Sequence, residues 1–187
     1  MTEIPPIEKL KYPLGTFNFP RDQSRELTRE WINVLKYFPK RLSEISSSLP
    51  EEKLTWKYRP QGWNIQQVIH HCADSHMNGI IRTKLALTET DPEIRPYMEA
   101  RWAELEDYNY PIKYAIDTLE LVHFKWALLF EKFRESDFEK RYYHPEDEKH
   151  YTLREQLALY AWHCNHHFAH IEQAISYEGK FNEIVQA

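Results

Sequence analysis

The sequence predicts an all-α fold, a four-helix bundle with a long crossover between its second and third helices, and three observations carry that reading. Apolar residues recur at spacings of three and four over four long stretches, no stretch alternates with period two over a useful length, and four glycines leave few places for hairpin turns. The 187 residues are read as one domain, 1–187. A chain of that length buries roughly 70% of its unfolded surface, so it needs neither a disulfide nor a metal merely to fold.

Residues 22–49 carry Leu27, Trp31, Val34, Leu35, Phe38, Leu42, Ile45 and Leu49 on one face and form the first long helix. Pro39 within it lacks a donor and crowds the preceding turn, which predicts a kink or a break there. After Pro50 and the turn Arg59-Pro60-Gln61-Gly62, residues 64–89 place Ile65, Val68, Ile69, Cys72, Ile80 and Leu87 on one stripe, with Asn64 as the N-cap. Residues 90–110 contain two prolines and room for one short helix. That connection is longer than antiparallel neighbours need, and a crossover between parallel helices fits it. The third helix, near 111–135, buries Ile112, Ile116, Leu119, Trp126, Phe130 and Phe133, and the fourth runs from Thr152 to Tyr177.

Composition excludes several functions. The net charge of -5 arises from 24 basic and 29 acidic residues mixed along the chain, with no Lys/Arg block, so neither nucleic acid nor an anionic membrane is an expected partner. No apolar run approaches the roughly 20 residues that span a bilayer, and MTEIPPIEKLKYPLG lacks the regions of a signal peptide, which predicts a cytoplasmic protein. Cys72 and Cys164 form no C-x-x-C pair and fall on apolar faces, where small core residues are expected.

Chemistry concentrates in histidine. His163, His166, His167 and His170 crowd the fourth helix, and His163/His167 and His166/His170 are both i, i+4 pairs, one turn apart on a single face. Around the axis, His163 and His167 border the apolar stripe of Leu157, Tyr160, Cys164, Phe168 and Ile171, while His166 and His170 lie further round, towards solvent. The inward pair suits a divalent metal, because neutral imidazoles offer nitrogen lone pairs near pH 7; hydrogen-bonded interface histidines are the competing reading. A bundle site needs a further ligand from a facing helix. The second helix offers His70, His71 and His76 in VIHHCADSHMN, and periodicity leaves His71 and His76 level: His76 is central to the apolar stripe, and His71 shares a polar flank with Ser75, Asn78 and Arg82. His123 lies on the apolar face of the third helix.

These motifs resemble those of the YfiT-like branch of the DinB superfamily. The likeness rests on YPLG, on YRPQGWNIQQVIHHCADSHMN and the residues that follow to WAEL, on YYHP, and on LYAWHCNHHFAHI, and it spans Tyr12 to Ile171. It implies the crossover bundle, a homodimer, and one divalent transition metal per chain held by His71, His163 and His167. Zinc or nickel is expected, since three imidazoles suit borderline ions better than calcium or magnesium. It also implies an enzyme acting on a small molecule: a metal-dependent hydrolase, or a thiol S-transferase using a low-molecular-weight thiol such as bacillithiol. Three histidines with an open position make a catalytic type of site that serves either reaction. H-E-x-x-H is absent, and no residue is assigned as general acid or base. Arg82, Tyr97 and His123 are the residues expected to bind an anionic substrate or cap the pocket. A non-catalytic metal-binding or interaction protein is the third reading.

Overall fold

The computed structural model describes residues 4–182. Four long helices form its frame: α2 (Arg25–Ser46), α4 (Ile65–Thr88), α6 (Ile112–Glu131) and α8 (Leu153–Ser176). Shorter elements fill the connections: α1 (Ile7–Lys11), α3 (Glu51–Leu54), α5 (Glu99–Trp102), a 3-10 turn (Glu106–Asn109) and α7 (Glu135–Phe138). Polar side chains start three of the long helices by accepting from otherwise unpaired amides: Ser24 from Leu27, Thr152 from Glu155, and Asn64 from Gln67 in a reciprocal capping box.

Side-chain pairs fix the helix directions. Thr28 meets Arg154 and Arg41 meets Asn165, so α2 and α8 are parallel. Ser75 meets Tyr160 and Gly79 meets Gln156, so α4 and α8 are antiparallel. His76 meets His123 and Thr83 meets Trp126, so α4 and α6 are parallel. Successive parallel helices oblige the chain to travel back along the bundle between them, and residues 89–111 make that crossover.

One apolar cluster gathers Phe38, Leu42, Ile65, Val68, Ile69, Cys72, Leu119, Cys164 and Ile171; a second gathers Trp31, Leu35, Ile80, Trp126, Phe130, Leu157 and Tyr160. Both cysteines are fully buried free thiols in the first cluster. His76 and His123, also fully buried, fall between the two clusters along α4 and α6.

The fold is the helical bundle expected from the sequence, with one small addition. A short hairpin, which the sequence reading missed, stands beside the helices: β1 (Arg141–His144) pairs antiparallel with β2 (Lys149–Thr152), and Ile94 of the crossover bonds to the outer edge of β1 at Tyr143. Each strand has four residues, too few for a period of two to stand out. Of the two outcomes expected at Pro39, a kink or a break, the break does not occur: α2 is helical from Arg25 to Ser46 with Pro39 buried inside it. What the proline changes is hydrogen bonding: it has no N–H to give to the carbonyl of Leu35, one turn earlier.

Candidate metal centre

His71 comes from the first half of α4, and His163 and His167 come from successive turns of α8. Because α4 and α8 are antiparallel, the three imidazoles meet, with one ring nitrogen of each within 4.8 Å of the others. No carboxylate or thiol of the described residues joins this group. His71 and His167 are buried and His163 nearly so, and the Trp63 ring stands 4.7 Å from that of His71. Burial disfavours their protonated forms: His71 is pushed down to about 4, chiefly by loss of solvent and then by His166, and His163 and His167 fall well below the ordinary value for the same leading cause. They are therefore neutral at pH 7, the state in which imidazole binds metal.

Two observations test whether a metal suits this donor set. The Nε2 atoms of His163 and His167 are 3.1 Å apart, and two nitrogens each about 2.1 Å from one ion at tetrahedral or octahedral angles are separated by about 3 Å. The Nδ1 of His71 is buried without a hydrogen-bond partner, an unfavourable state unless something else occupies it. The residues fit the ion.

Behind the three rings stand more imidazoles. The Nδ1 of His163 is 3.0 Å from Nε2 of His76, whose Nδ1 is 2.6 Å from Nε2 of His123, whose Nδ1 is 2.5 Å from the carbonyl oxygen of Leu35. The Nδ1 of His167 is 3.4 Å from Nδ1 of His170, whose Nε2 is 3.0 Å from the carbonyl oxygen of Lys11.

The remaining residues singled out from sequence are placed as follows. His76 lies behind His163, outside the group of three. His70 points away, donating from Nε2 to the Tyr110 carbonyl at 3.0 Å. His166 and His170 do not face solvent as the helical wheel predicts: the segment around Lys11 and Tyr12 and the connection before α4 cover them, with Tyr12 stacked on His166 and Tyr58 stacked on His170 at 3.8 Å. Both segments are distant in sequence, so the periodicity of α8 carries no trace of them. His123 is buried with both ring nitrogens engaged inside the bundle, and has none left for a substrate. Arg82 keeps a buried Nε without a partner, and the Tyr97 hydroxyl is buried beside Ser75 without a hydrogen bond of ordinary geometry. Arg82 lies eleven residues from His71 on α4, about 16 Å along the axis.

A model of the DinB superfamily matches residues 34–171. The chain is 41% identical over 165 residues to a protein of Halalkalibacterium halodurans, covering 88% of this chain and 96% of that one, and 43% identical over 161 residues to a protein of Oceanobacillus iheyensis, covering 86% and 93%. Both carry the name "Putative metal-dependent hydrolase". Among solved structures it is similar to YfiT from Bacillus subtilis, with a TM-score of 0.88 and 38% identity over 91% of this chain and 98% of that one. YfiT is described as "a probable metal-dependent hydrolase with an unusual four-helix bundle topology".

Proposed function

The chain belongs to the DinB superfamily, and from that premise we propose that it is a metal-dependent hydrolase of a small-molecule substrate, holding one divalent ion, zinc or nickel, through His71, His163 and His167. The observation that carries the proposal is the set of three neutral, mostly buried imidazoles whose nitrogens converge without a fourth protein ligand among the described residues. A closed four-ligand shell, by contrast, is the mark of a structural site. An ion held this way supplies a Lewis acid that polarises a carbonyl and lowers the pKa of a water or thiol. The chain's own residues bind and orient. His71, His163 and His167 fix the ion from two helices, and the Trp63 ring shields His71. Arg82, with its unpartnered buried Nε, and the Tyr97 hydroxyl would receive a polar or anionic group of a substrate long enough to reach from the imidazoles.

One observation favours the second reading, a thiol S-transferase using a low-molecular-weight thiol. Among the described residues no carboxylate joins the three histidines to serve as general base, and transfer of a thiolate needs none. We further propose a homodimer formed through α6, whose Tyr114, Leu121, Phe124 and Leu128 are exposed large apolar side chains. The test of activity is a screen of the zinc- and nickel-loaded protein against esters and amides, and against alkyl halides and epoxides with several thiols. Hydrolysis without added thiol is expected. Turnover that saturates with thiol and yields no hydrolysed product retires hydrolysis in favour of transfer, and tight metal binding with no turnover in either class retires both in favour of a binding protein.

A further inference from the structure

The hydrogen-bond geometry behind the metal centre admits one arrangement of protons. A carbonyl oxygen only accepts, so His123, 2.5 Å from the Leu35 carbonyl, must carry its hydrogen on Nδ1. A neutral imidazole has one hydrogen, so its Nε2 accepts, and His76 must donate from Nδ1. The Nε2 of His76 then accepts, and His163 must donate from Nδ1. The Nε2 lone pair of His163 is left bare, and it faces His167. The same reasoning from the other side starts at the Lys11 carbonyl: His170 donates from Nε2, its Nδ1 accepts from Nδ1 of His167, and the Nε2 lone pair of His167 is left bare. The two bare lone pairs are 3.1 Å apart.

We infer that His123, His76 and His170 are positioning residues, forming two carbonyl-anchored imidazole relays that hold His163 and His167 in the Nδ1–H tautomer and present both Nε2 lone pairs to one ion. This rests on the reading of His163 and His167 as ligands. Burial supports neutrality: His76, His123 and His170 are 0%, 1% and 2% exposed, and a charged ring there would be cut off from water. The Nδ1–H form is the less populated one for a free neutral imidazole, so the relays impose a choice that water would not make. Both anchors are carbonyls that their own helices leave free. Leu35 lies four residues before Pro39, which has no N–H to give it, and Lys11 ends α1, where the last carbonyls have no partner within the helix. Two facing lone pairs repel, so a cation between them completes an arrangement that is otherwise unfavourable. The relays end at carbonyls that can take no proton; they orient and do not conduct.

The test uses the full chain with ¹⁵N-labelled histidine, stripped of metal and kept at mildly alkaline pH, and reads tautomers from long-range ¹H–¹⁵N correlations. His76 and His123 are expected as Nδ1–H and His170 as Nε2–H, although none of them is a ligand. Either of the first two found as Nε2–H overturns the first relay, and His170 found as Nδ1–H overturns the second. Zinc affinity by chelator competition is the second arm. His123→Phe, which keeps an aromatic ring against Phe38 and removes the anchor one step behind the partner of His163, is expected to weaken binding about tenfold, the low end of the effect of removing a direct partner of a metal-bound histidine. His170→Phe is expected to cost less, because its link to His167 is longer. If His163→Ala binds zinc as tightly as the parent, the ligand assignment fails while the tautomer result stands by itself. Where His163→Ala abolishes binding and a folded His123→Phe binds like the parent, the ligand assignment survives and the relay is overturned.

Discussion

At the scale of single residues, the contacts of their ring nitrogens sort the histidines of the proposed centre into proposed ligands, supports and bystanders, a division that periodicity alone does not reveal. His71→Ala, His163→Ala and His167→Ala are each expected to weaken zinc binding at least tenfold, about 1.4 kcal/mol or more. His70→Ala, which removes only a pin to the Tyr110 carbonyl, is expected to leave binding within a few-fold. Chelator competition on the four variants checks this, and equal losses in all four would mean that the effect is on folding rather than on ligation. The choice between His71 and His76 was beyond periodicity for a physical reason. His71 and His76 are buried against the other helices and His70 beneath the crossover, which covers a further side of α4, so that helix has little contrast between its faces. Gly79 is a residue the sequence reading passed over. A Cβ there would lie 2.3 Å from Trp126 Cη2 and 2.7 Å from Tyr160 Cζ, while its carbonyl accepts from Thr83 and Gln156. Overfilling a packed core costs about 1–3 kcal/mol, so Gly79→Ala is expected to lower stability by that much in denaturant unfolding, despite alanine's better helix propensity.

At the scale of elements, the four long helices were legible because each repeats an apolar stripe over many turns, and their observed ends fall within a few residues of those read from sequence. The His163/His167 spacing was legible for the same reason, being a property of one helix. The hairpin was not, since its strands are short and bring Tyr142 alone to full burial. The cover over His166 and His170 was not legible either, because it depends on contacts of the last helix with two segments distant in sequence, one at Lys11 and Tyr12 and one at Tyr58. Pro39 stood out in the sequence, and of a kink and a break it does not cause the break. Its consequence is a freed carbonyl inside an unbroken helix, and that carbonyl is where the longer imidazole relay ends. Pro39→Ala restores an N–H that competes with His123 for Leu35. It is expected to weaken zinc binding several-fold while leaving the helix content of the circular dichroism spectrum unchanged or slightly raised. Zinc affinity equal to that of the parent would show that the carbonyl serves both donors and that the proline has no part in the site.

At the scale of the whole molecule, the exposed apolar row on α6 bears on assembly and the buried histidines bear on acid stability. Phe124→Lys, which places a charge in the middle of that row, is expected to shift sedimentation from dimer to monomer without changing the circular dichroism spectrum; an unchanged sedimentation coefficient would remove α6 from the interface. Acid stability follows from burial. His71, His76, His123, His163, His166, His167 and His170 all have values lowered first of all by loss of solvent, to about 4 for His71, His123 and His166 and to about 3 for His170. Above the unfolded value of about 6.5 these rings are neutral whether the chain is folded or not, and they contribute nothing to the pH dependence. Between about 6.5 and 4 the unfolded chain takes up protons that the folded chain refuses, so stability is lost as pH falls, at up to about 1.4 kcal/mol per pH unit for each ring. Domains are stable by only about 5–15 kcal/mol, so the metal-free protein is expected to unfold cooperatively before pH 4. An ion on His71, His163 and His167 stabilises the folded state alone and competes with protons for its ligands, so saturating zinc should move the acid midpoint to lower pH. Circular dichroism titrations from pH 8 to 3, with zinc and with chelator, measure both midpoints. A metal-free protein whose stability stays flat from pH 7 to 4 would mean that these rings are solvated in solution, and a zinc-loaded midpoint that coincides with the metal-free one would remove the ion from the centre.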